Sequence, residues 1–160
     1  MKKFLSILLV LVLCTWIGQS VYNKIQINYQ ISQENELKRR APIEIPDPSI
    51  LPIQEIKDKK KPIIAFFYVD WCGYCKRFMP IYGEVTKEYK NKFNFAVVHC
   101  EKPENEQMVK DFGVQGFPTL FIIDKKIDYN FSLSGNVTQD KEALKKELDK
   151  YLKARKHFTR

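Results

Sequence analysis

The sequence predicts a single α/β domain in which helices flank a central mixed β-sheet. Two continuous apolar runs, residues 62–69 and 93–100, have the β-branched and aromatic composition of strands that are buried on both faces. A segment with the apolar spacing of a helix follows each of these runs. Strands that alternate with helices in this way form a sheet that is covered by helices.

The other elements are predicted from apolar spacing and from turn residues. Gly113 is expected to end the second helix, and Gly135 to mark a bulge or bend. Thr138 or Asp140 is expected to cap the final helix. In chain order the predicted elements are a strand over 62–69, a helix over 72–89, a strand over 93–100, a helix over 104–112, strands over 119–123 and 127–133, and a final helix through 152.

Length and composition support one folded domain and exclude two broad classes of protein. The 160 residues include 44% hydrophobic and 13% aromatic side chains, more than a disordered chain carries. The formal net charge is +8, but lysines alternate with glutamate and aspartate along the chain instead of forming a stripe of one sign. We therefore interpret the charge as a solvated basic surface and expect no nucleic-acid partner.

Residues 1–20 have the pattern of an export segment. Two lysines at positions 2 and 3 precede an apolar run over residues 4–17, which is shorter than the ~20 residues of a comfortable transmembrane span. The segment is either a signal peptide cut near residues 18–20 or an uncleaved anchor extended by Val21 and Tyr22. Both alternatives place the rest of the chain across the membrane, in a compartment that permits disulfides.

A polar and proline-rich stretch, residues 21–51, separates this segment from the predicted domain. Its first half permits a loose helix up to Arg40, whereas the prolines at positions 42, 46, 48 and 52 forbid a continuing helix and stiffen the chain. We therefore predict three parts: residues 1–20 as signal peptide or membrane anchor, residues 21–51 as a spacer, and residues 52–160 as the folded domain.

Cys72 and Cys75 form a Cys-x-x-Cys pair on the first turn of a predicted helix, directly after a buried strand. The unpaired N–H groups and the positive end of the helix dipole favour a thiolate at the first cysteine. Cys72 is therefore predicted to be an exposed nucleophile. Cys75 is predicted to be the resolving thiol, which displaces the captured substrate and closes a redox-active disulfide.

The cysteines and histidines permit other interpretations. A zinc site needs two further ligands, yet the sequence has no second close Cys/His pair, so neither a metal nor a cofactor is expected. A structural disulfide at a strand-to-helix turn after Trp71 is the weaker alternative. Cys100 is expected to be a core thiol, the alternatives being a third redox thiol or an intermolecular link. His99 and His157 are interpreted as ordinary strand-end or surface residues.

The motif Asp70-Trp71-Cys72-Gly73-Tyr74-Cys75-Lys76, followed by Pro80 and by Gly116-Phe117-Pro118-Thr119, resembles the active site of the thioredoxin superfamily. The resemblance covers about residues 52–152 and implies a thioredoxin-like fold. It also implies a cis peptide bond before Pro118 and a backbone at Phe117 that pairs with an extended substrate. The substrate-binding residues that it implies are Trp71, Tyr74, Phe117 and Pro118.

The sequence departs from the thioredoxin pattern in the core. Phe66 stands where thioredoxins carry the buried aspartate that accepts a proton from the resolving cysteine, and an apolar Val97 or Val98 replaces a buried lysine. The group that takes this proton is therefore left open, with Glu84 or Tyr74 as candidates. These departures argue against a general cytoplasmic thioredoxin and not against redox activity.

Among the exported members of this superfamily, the sequence most resembles the membrane-tethered, reducing thioredoxin-like proteins of the bacterial envelope. The Gly-Tyr pair between the cysteines is similar to that of periplasmic isomerases, but their dimerisation domain has no counterpart in residues 21–51. Between Cys75 and Pro118 there is also no room for the inserted helical domain of strong periplasmic oxidants.

The sequence therefore predicts a monomeric thiol–disulfide oxidoreductase of the bacterial periplasm or cell envelope, exported or anchored to the inner membrane. Its expected role is that of a reductant of protein disulfides, with protein thiols and an envelope electron donor or acceptor as partners. The alternatives are a redox-silent, chaperone-like peptide-binding module and a disulfide oxidant or isomerase. The direction of electron flow depends on the relative stability of dithiol and disulfide, which a few kcal/mol reverses.

Overall fold

The computed structural model describes residues 2–58, 60–133 and 135–158, with side chains from residue 11 onward. The chain divides into two compact units, one up to Arg40 and one from Ala41. The first unit is a single helix of 39 residues, α1 (Lys2–Arg40), whose side chains from residue 11 onward are exposed. Among the described residues, no helix has both the length and the apolar character needed to cross a membrane. The export segment stays a prediction.

The second unit is built on a five-stranded sheet with the strand order β1-β3-β2-β4-β5. Strands β1 and β2 run parallel to β3, whereas β4 is antiparallel to β2 and β5 is antiparallel to β4. This mixed sheet flanked by helices is the predicted fold class, which is confirmed. The elements are β1 (Ile50–Pro52), β2 (Ile63–Tyr68), α2 (Gly73–Tyr89), β3 (Asn94–His99), α3 (Glu106–Asp111), β4 (Thr119–Asp124), β5 (Tyr129–Ser132) and α4 (Lys141–Phe158).

Alternation along the central strands divides the core into two layers. On one face, residues such as Phe66 and Phe95 pack with α2 and α4, and this layer includes both Cys72 and Cys75. On the other face, a smaller cluster around Phe67 packs against residues from α3 and its surroundings. Successive residues of a strand point to opposite faces, so the cysteines share their layer with every second residue of β2 and β3.

Helix α2, which begins at the cysteine motif, is held tightly against the sheet. It continues through Pro80, and its buried Tyr82 hydroxyl lies 2.7 Å from the carbonyl oxygen of Ile64 and 2.9 Å from that of Ala96. These contacts tie the middle of α2 to both central strands. A fixed helix gives its first turn, and therefore the two cysteines, a fixed position at the end of the sheet.

The folded unit begins at Ala41 and not at Pro52, so part of the predicted spacer belongs to the domain. Ile50 is buried in the core and Ile50–Pro52 pairs with β3 at the edge of the sheet, where a terminal proline interrupts no further strand. Pro46 packs directly on Gly83 of α2. A Cβ atom at Gly83 would lie only 2.4 Å from the Pro46 Cγ atom, so the contact requires glycine at this position. The high proline content correctly predicts an extended segment, but it does not reveal that this segment packs against the sheet and α2.

The remaining differences between the predicted and the observed elements are local. The predicted helix over 104–112 consists of a 3-10 turn, Pro103–Asn105, followed by α3, and Gly113 ends it with a positive φ of 59° as expected. Gly135 begins a 3-10 turn and does not form a bulge. Of the two proposed caps for α4, the Asp140 carboxylate accepts a hydrogen bond from the Glu142 N–H at 2.9 Å.

Candidate active site

The two cysteines occupy the turn that joins the end of β2 to the start of α2. Cys72 is the N-cap of α2, and its Sγ accepts a hydrogen bond from the Cys75 N–H at 3.2 Å. The Lys76 N–H closes the first helical turn on the Cys72 carbonyl oxygen at 3.1 Å. The first sulfur therefore lies where the helix presents its unpaired N–H groups, as the Cys-x-x-Cys spacing predicts.

Both cysteines are free thiols, and both are more enclosed than the sequence suggested. Cys72 is only 6% exposed, so its expected exposure is wrong, whereas its role as the nucleophile stays a prediction. Cys75 is 0% exposed. Burial, followed by the hydrogen bond with Cys72, raises the pKa of Cys75 well above its ordinary value. This thiol consequently keeps its proton unless another group takes it.

The loop before β4 closes over Cys72. The Phe117–Pro118 peptide bond is cis, which confirms the conformation that the family resemblance implied. The Cys72 thiol donates a hydrogen bond to the Phe117 carbonyl oxygen at 3.5 Å. Two segments that lie far apart in the sequence thus meet at one sulfur, and the backbone of Phe117 borders it directly.

An aromatic rim surrounds this enclosed sulfur. Trp71 is 49% exposed and Tyr74 is 61% exposed, so two large aromatic side chains flank the cysteine motif at the surface. The Trp71 indole donates a hydrogen bond to Glu101 at 2.8 Å and meets the Phe117 ring edge to face at 6.1 Å. The Arg77 guanidinium lies 4.5 Å above the Tyr74 ring. The rim side chains are therefore held by contacts with their neighbours and present aromatic surface beside the motif.

An aspartate–histidine pair, which the sequence analysis missed, lies beside the dithiol. Asp70 Oδ2 lies 2.9 Å from His99 Nε2, and Asp70 Oδ1 accepts a hydrogen bond from the Ile43 N–H at 2.9 Å. His99 is the last residue of β3 and pairs in register with Tyr68 of β2. The alternation of β3 could have placed His99 on the layer of the cysteines, but no local signal indicates its partner.

The two groups that the sequence suggested as proton acceptors for Cys75 do not fill that role in the structure. Glu84 is an exposed residue of α2 that pairs with Lys141 of α4 at 3.0 Å. Tyr74 is exposed and lies beneath Arg77. Phe66 is fully buried among aromatic rings, so no carboxylate stands at its position. The aspartate–histidine pair is therefore the new candidate for the proton acceptor of Cys75.

Cys100 follows His99 and is partly buried, in contact with both core layers. Burial, as the largest cause, raises the pKa of Cys100 to about 11. Its Sγ lies 3.6 Å from the Val98 carbonyl oxygen, and no disulfide joins it to another cysteine. The expected core thiol is the interpretation that agrees with these contacts.

The arrangement has the parts that thiol–disulfide exchange requires. One sulfur lies at a helix N-terminus, a second buried thiol lies one turn further on, and a backbone carbonyl and an aromatic rim border the first sulfur. A thiolate that attacks a disulfide forms a mixed disulfide, which a neighbouring thiol can then resolve.

Comparison with known proteins agrees with this description. The family model described as Thioredoxin matches residues 53–150. The chain is 33% identical over 78 residues to the thioredoxin-like protein HCF164, chloroplastic, of Arabidopsis thaliana, which is 49% of this chain and 30% of that protein. It is 33% identical over 99 residues to protein disulfide-isomerase A4 of Mus musculus, which is 60% of this chain and 15% of that protein. The chain thus matches less than a third of either relative.

Solved structures show the same fold at lower identity. The J-Trx1 fragment of ERdj5 superposes with a TM-score of 0.56 at 21% identity, covering 66% of this chain and 50% of that fragment. The Trx4 domain of ERdj5 gives a TM-score of 0.55 at 19% identity and covers 68% of this chain and 99% of that domain. At these identities the likeness concerns the fold alone.

Proposed function

Because the chain belongs to the thioredoxin family, which its residues 53–150 match, we propose that it reduces disulfides of other proteins through Cys72 and Cys75. Its thioredoxin-like and disulfide-isomerase relatives support a disulfide oxidoreductase in general terms. The observation that carries the proposal is the single sulfur of Cys72, which meets both the first turn of α2 and the Phe117 carbonyl. A module that only binds peptides needs neither thiol.

The reducing direction is supported by the segment between Cys75 and Pro118. Helix α2, strand β3, the 3-10 turn and helix α3 make up its regular structure, and it contains no counterpart of the inserted helical domain of strong periplasmic oxidants. A dithiol becomes a strong oxidant when its reduced form is stabilised relative to its disulfide. We therefore expect the pair to have a potential nearer to the roughly −270 mV of thioredoxin than to the roughly −120 mV of strong periplasmic oxidants.

The first test is reduction of insulin by the full-length protein in the presence of dithiothreitol. Cys72→Ser should abolish the activity, and Cys100→Ser is the matched control that removes a thiol outside the motif. In a second assay, Cys75→Ala should accumulate covalent mixed disulfides with a protein substrate. Activity that persists in Cys72→Ser would contradict the proposal, and a failure of Cys75→Ala to trap anything would indicate a redox-silent binder.

A redox titration of the Cys72–Cys75 pair against glutathione decides between a reductant and the alternatives. The match to a disulfide-isomerase is the observation that favours an isomerase as second candidate. A potential near roughly −180 mV, together with the refolding of a scrambled disulfide substrate, would support that candidate instead.

We further propose that the protein acts in the cell envelope, exported or tethered by residues 1–20. The proposal is supported by the two lysines and the apolar run that open the sequence. Expressed in a bacterium, the full chain should fractionate with the envelope, whereas a chain without residues 1–20 should remain in the cytoplasm. Identical fractionation of both proteins would overturn the location without affecting the proposed chemistry.

A further inference from the structure

The proposed exchange reaction requires a group that takes a proton from Cys75. To displace the substrate, the Cys75 sulfur must attack Cys72 as a thiolate, yet burial strongly favours its protonated form. Thioredoxins solve this problem with a buried aspartate, whose position is filled by Phe66 in this chain, as the sequence analysis noted. Another base therefore has to act, and it has to lie in the same core layer.

His99 lies in that layer. Phe95 and Val97 of the same strand belong to the core cluster that contains Cys72 and Cys75, and the alternation of β3 places His99 on the same face. The His99 ring also meets the Tyr68 ring edge to face at 5.0 Å. The imidazole is thus directed to the side of the sheet on which α2 begins.

Asp70 fixes the chemical state of this ring. Both Asp70 oxygens are acceptors, one for the Ile43 N–H and one for His99 Nε2, so Nε2 carries a hydrogen when the histidine is neutral. The free lone pair of the ring is then on Nδ1. Nδ1 is buried and has no hydrogen-bond partner among the described residues. A buried acceptor of this kind is normally satisfied, so an open one at a reactive site calls for an explanation.

Tyr68 connects the layer of the thiols with the aspartate–histidine pair, because it belongs to the buried cluster that contains Cys75 and its ring lies against the His99 ring. Burial, followed by the charges of Asp70, Cys100 and Cys75, raises the pKa of Tyr68 to about 12, so the hydroxyl keeps its hydrogen. Tyr68 pairs in register with His99, so both side chains lie on the face of the sheet that carries Cys75. A hydroxyl can accept a proton from one group while it donates its own to another.

We propose that His99, oriented by Asp70, accepts the proton of Cys75 by way of the Tyr68 hydroxyl when Cys75 resolves a mixed disulfide. This inference rests on the proposed function and adds the missing base to it. His99 acts through Tyr68 and Asp70 acts through His99, so both are positioning and proton-holding residues that do not touch the substrate.

The step balances without a further reactant. The Cys75 sulfur forms a bond to the Cys72 sulfur, and the bond from Cys72 to the substrate breaks. The substrate sulfur leaves as a thiolate with the bonding electron pair, so the substrate is reduced and the dithiol is oxidised. The Cys75 proton moves to His99 Nδ1, where the imidazolium is stabilised by the Asp70 carboxylate, and it is later given to the departing thiolate or to solvent.

The test separates the two steps of exchange in one single-turnover experiment with the full-length protein. A fluorogenic peptide disulfide releases one half when Cys72 attacks and the other half when Cys75 resolves the intermediate. In His99→Gln, the second phase should slow by about 100-fold while the first phase is unchanged. Asp70→Asn should slow the second phase as well, because it releases the ring orientation.

The controls distinguish this role from a structural one. His157→Gln changes the other histidine of the chain, on exposed α4 surface, and should alter neither phase. Equal slowing of both phases in His99→Gln, or an unchanged second phase, would overturn the proposal. If His99→Gln does not fold, Asp70→Asn and Tyr68→Phe answer the same question. Failure of the proposed function looks different, because no first phase would then appear even in the unaltered protein.

Discussion

Two aspartates close opposite ends of the central sheet, and their surroundings differ in one informative respect. Asp70 lies two residues after the end of β2, whereas Asp124 is the last residue of β4, which runs antiparallel to β2. The two carboxylates therefore lie at opposite ends of neighbouring strands. Each of them joins its strand to another part of the second unit.

At the Asp124 end, no buried side-chain nitrogen or oxygen of the described residues lacks a hydrogen-bond partner. The carboxylate, 1% exposed, accepts hydrogen bonds from Tyr151 at 2.6 Å, from the Arg155 guanidinium and from the Lys126 N–H at 3.0 Å. Arg155 also donates to the Lys60 carbonyl oxygen. Burial would raise the pKa of Asp124, but the hydrogen bonds from Arg155 and Tyr151 outweigh it and hold the pKa below its usual value.

At the Asp70 end, one buried atom, His99 Nδ1, has no hydrogen-bond partner among the described residues. Each oxygen of the carboxylate has a partner, so the unpaired atom belongs to the histidine. A completely satisfied cluster adds rigidity, whereas a cluster with one open acceptor can still take up a proton. The comparison thus separates a carboxylate that stabilises the fold from one that serves the reaction.

The largest effect on stability is expected for Asp124→Ala. Removing the carboxylate leaves Arg155 without its buried partner, and we expect a loss of about 3 kcal/mol in the free energy of unfolding. Asp70→Ala should cost clearly less, because the Asp70 side chain is 24% exposed. Urea unfolding followed by fluorescence measures both. Equal losses would remove the distinction between the two ends of the sheet.

A matched pair of tyrosine variants sharpens the comparison. Tyr151→Phe deletes a hydrogen bond to a charged group and should lower the free energy of unfolding by about 2 kcal/mol without altering exchange rates per folded molecule. Tyr68→Phe deletes a hydroxyl that makes no hydrogen bond to a described residue and should cost less than about 1 kcal/mol. Slow resolution of mixed disulfides is expected only in Tyr68→Phe. Slow resolution in Tyr151→Phe together with normal resolution in Tyr68→Phe would contradict the structural role of Tyr151 and the proton-transfer role of Tyr68.

Acid should weaken the Asp124 cluster over a defined pH range. Because the pKa of Asp124 is lower in the folded state than the ordinary value of 3.8, the unfolded state binds more protons in this range. The contribution is therefore present above about pH 4 and is lost as the pH falls through the lower, folded-state pKa. Asp124→Asn should show a flatter dependence of unfolding free energy on pH below 4. An identical slope in both proteins would argue against this linkage.

The smallest effect is expected for the exposed charges between α2 and α4. Lys141 pairs with Glu84 at 3.0 Å and with Glu88 at 2.9 Å, all at the surface, where water and salt screen the attraction. Lys141→Gln should shift the melting temperature slightly at low ionic strength and not at high ionic strength. A large and salt-independent shift would show that this network resembles the buried cluster at Asp124.

The sequence predicted the active-site turn well because its signals are local. A long apolar run followed by Cys72 and Cys75 places the end of β2 and the start of α2 within one residue of their observed bounds. The cis bond before Pro118 was implied by the resemblance to the thioredoxin superfamily, and the structure contains it. Both motifs are short runs of neighbouring residues, so they can be recognised in the linear sequence.

The missed features depend on contacts between distant parts of the chain. β1 has only three residues and ends in a proline, so it has no detectable period, and its pairing with β3 exists only in the folded chain. The packing of Pro46 on Gly83 is long-range as well. Asp70 and His99 are ordinary residues in the sequence, and only the register of β2 and β3 brings them together.

The bond from the Cys72 thiol to the Phe117 carbonyl has a consequence for the order of capture and release. A thiolate has no hydrogen to donate, and neither has a sulfur in a disulfide, so this carbonyl loses its donor as soon as Cys72 ionises and stays without it while Cys72 is covalently linked. The carbonyl is therefore open to an incoming peptide N–H once the reactive thiolate forms and for the whole lifetime of the mixed disulfide. Binding of a peptide backbone at Phe117 is thereby coupled to the protonation and oxidation of a single sulfur atom.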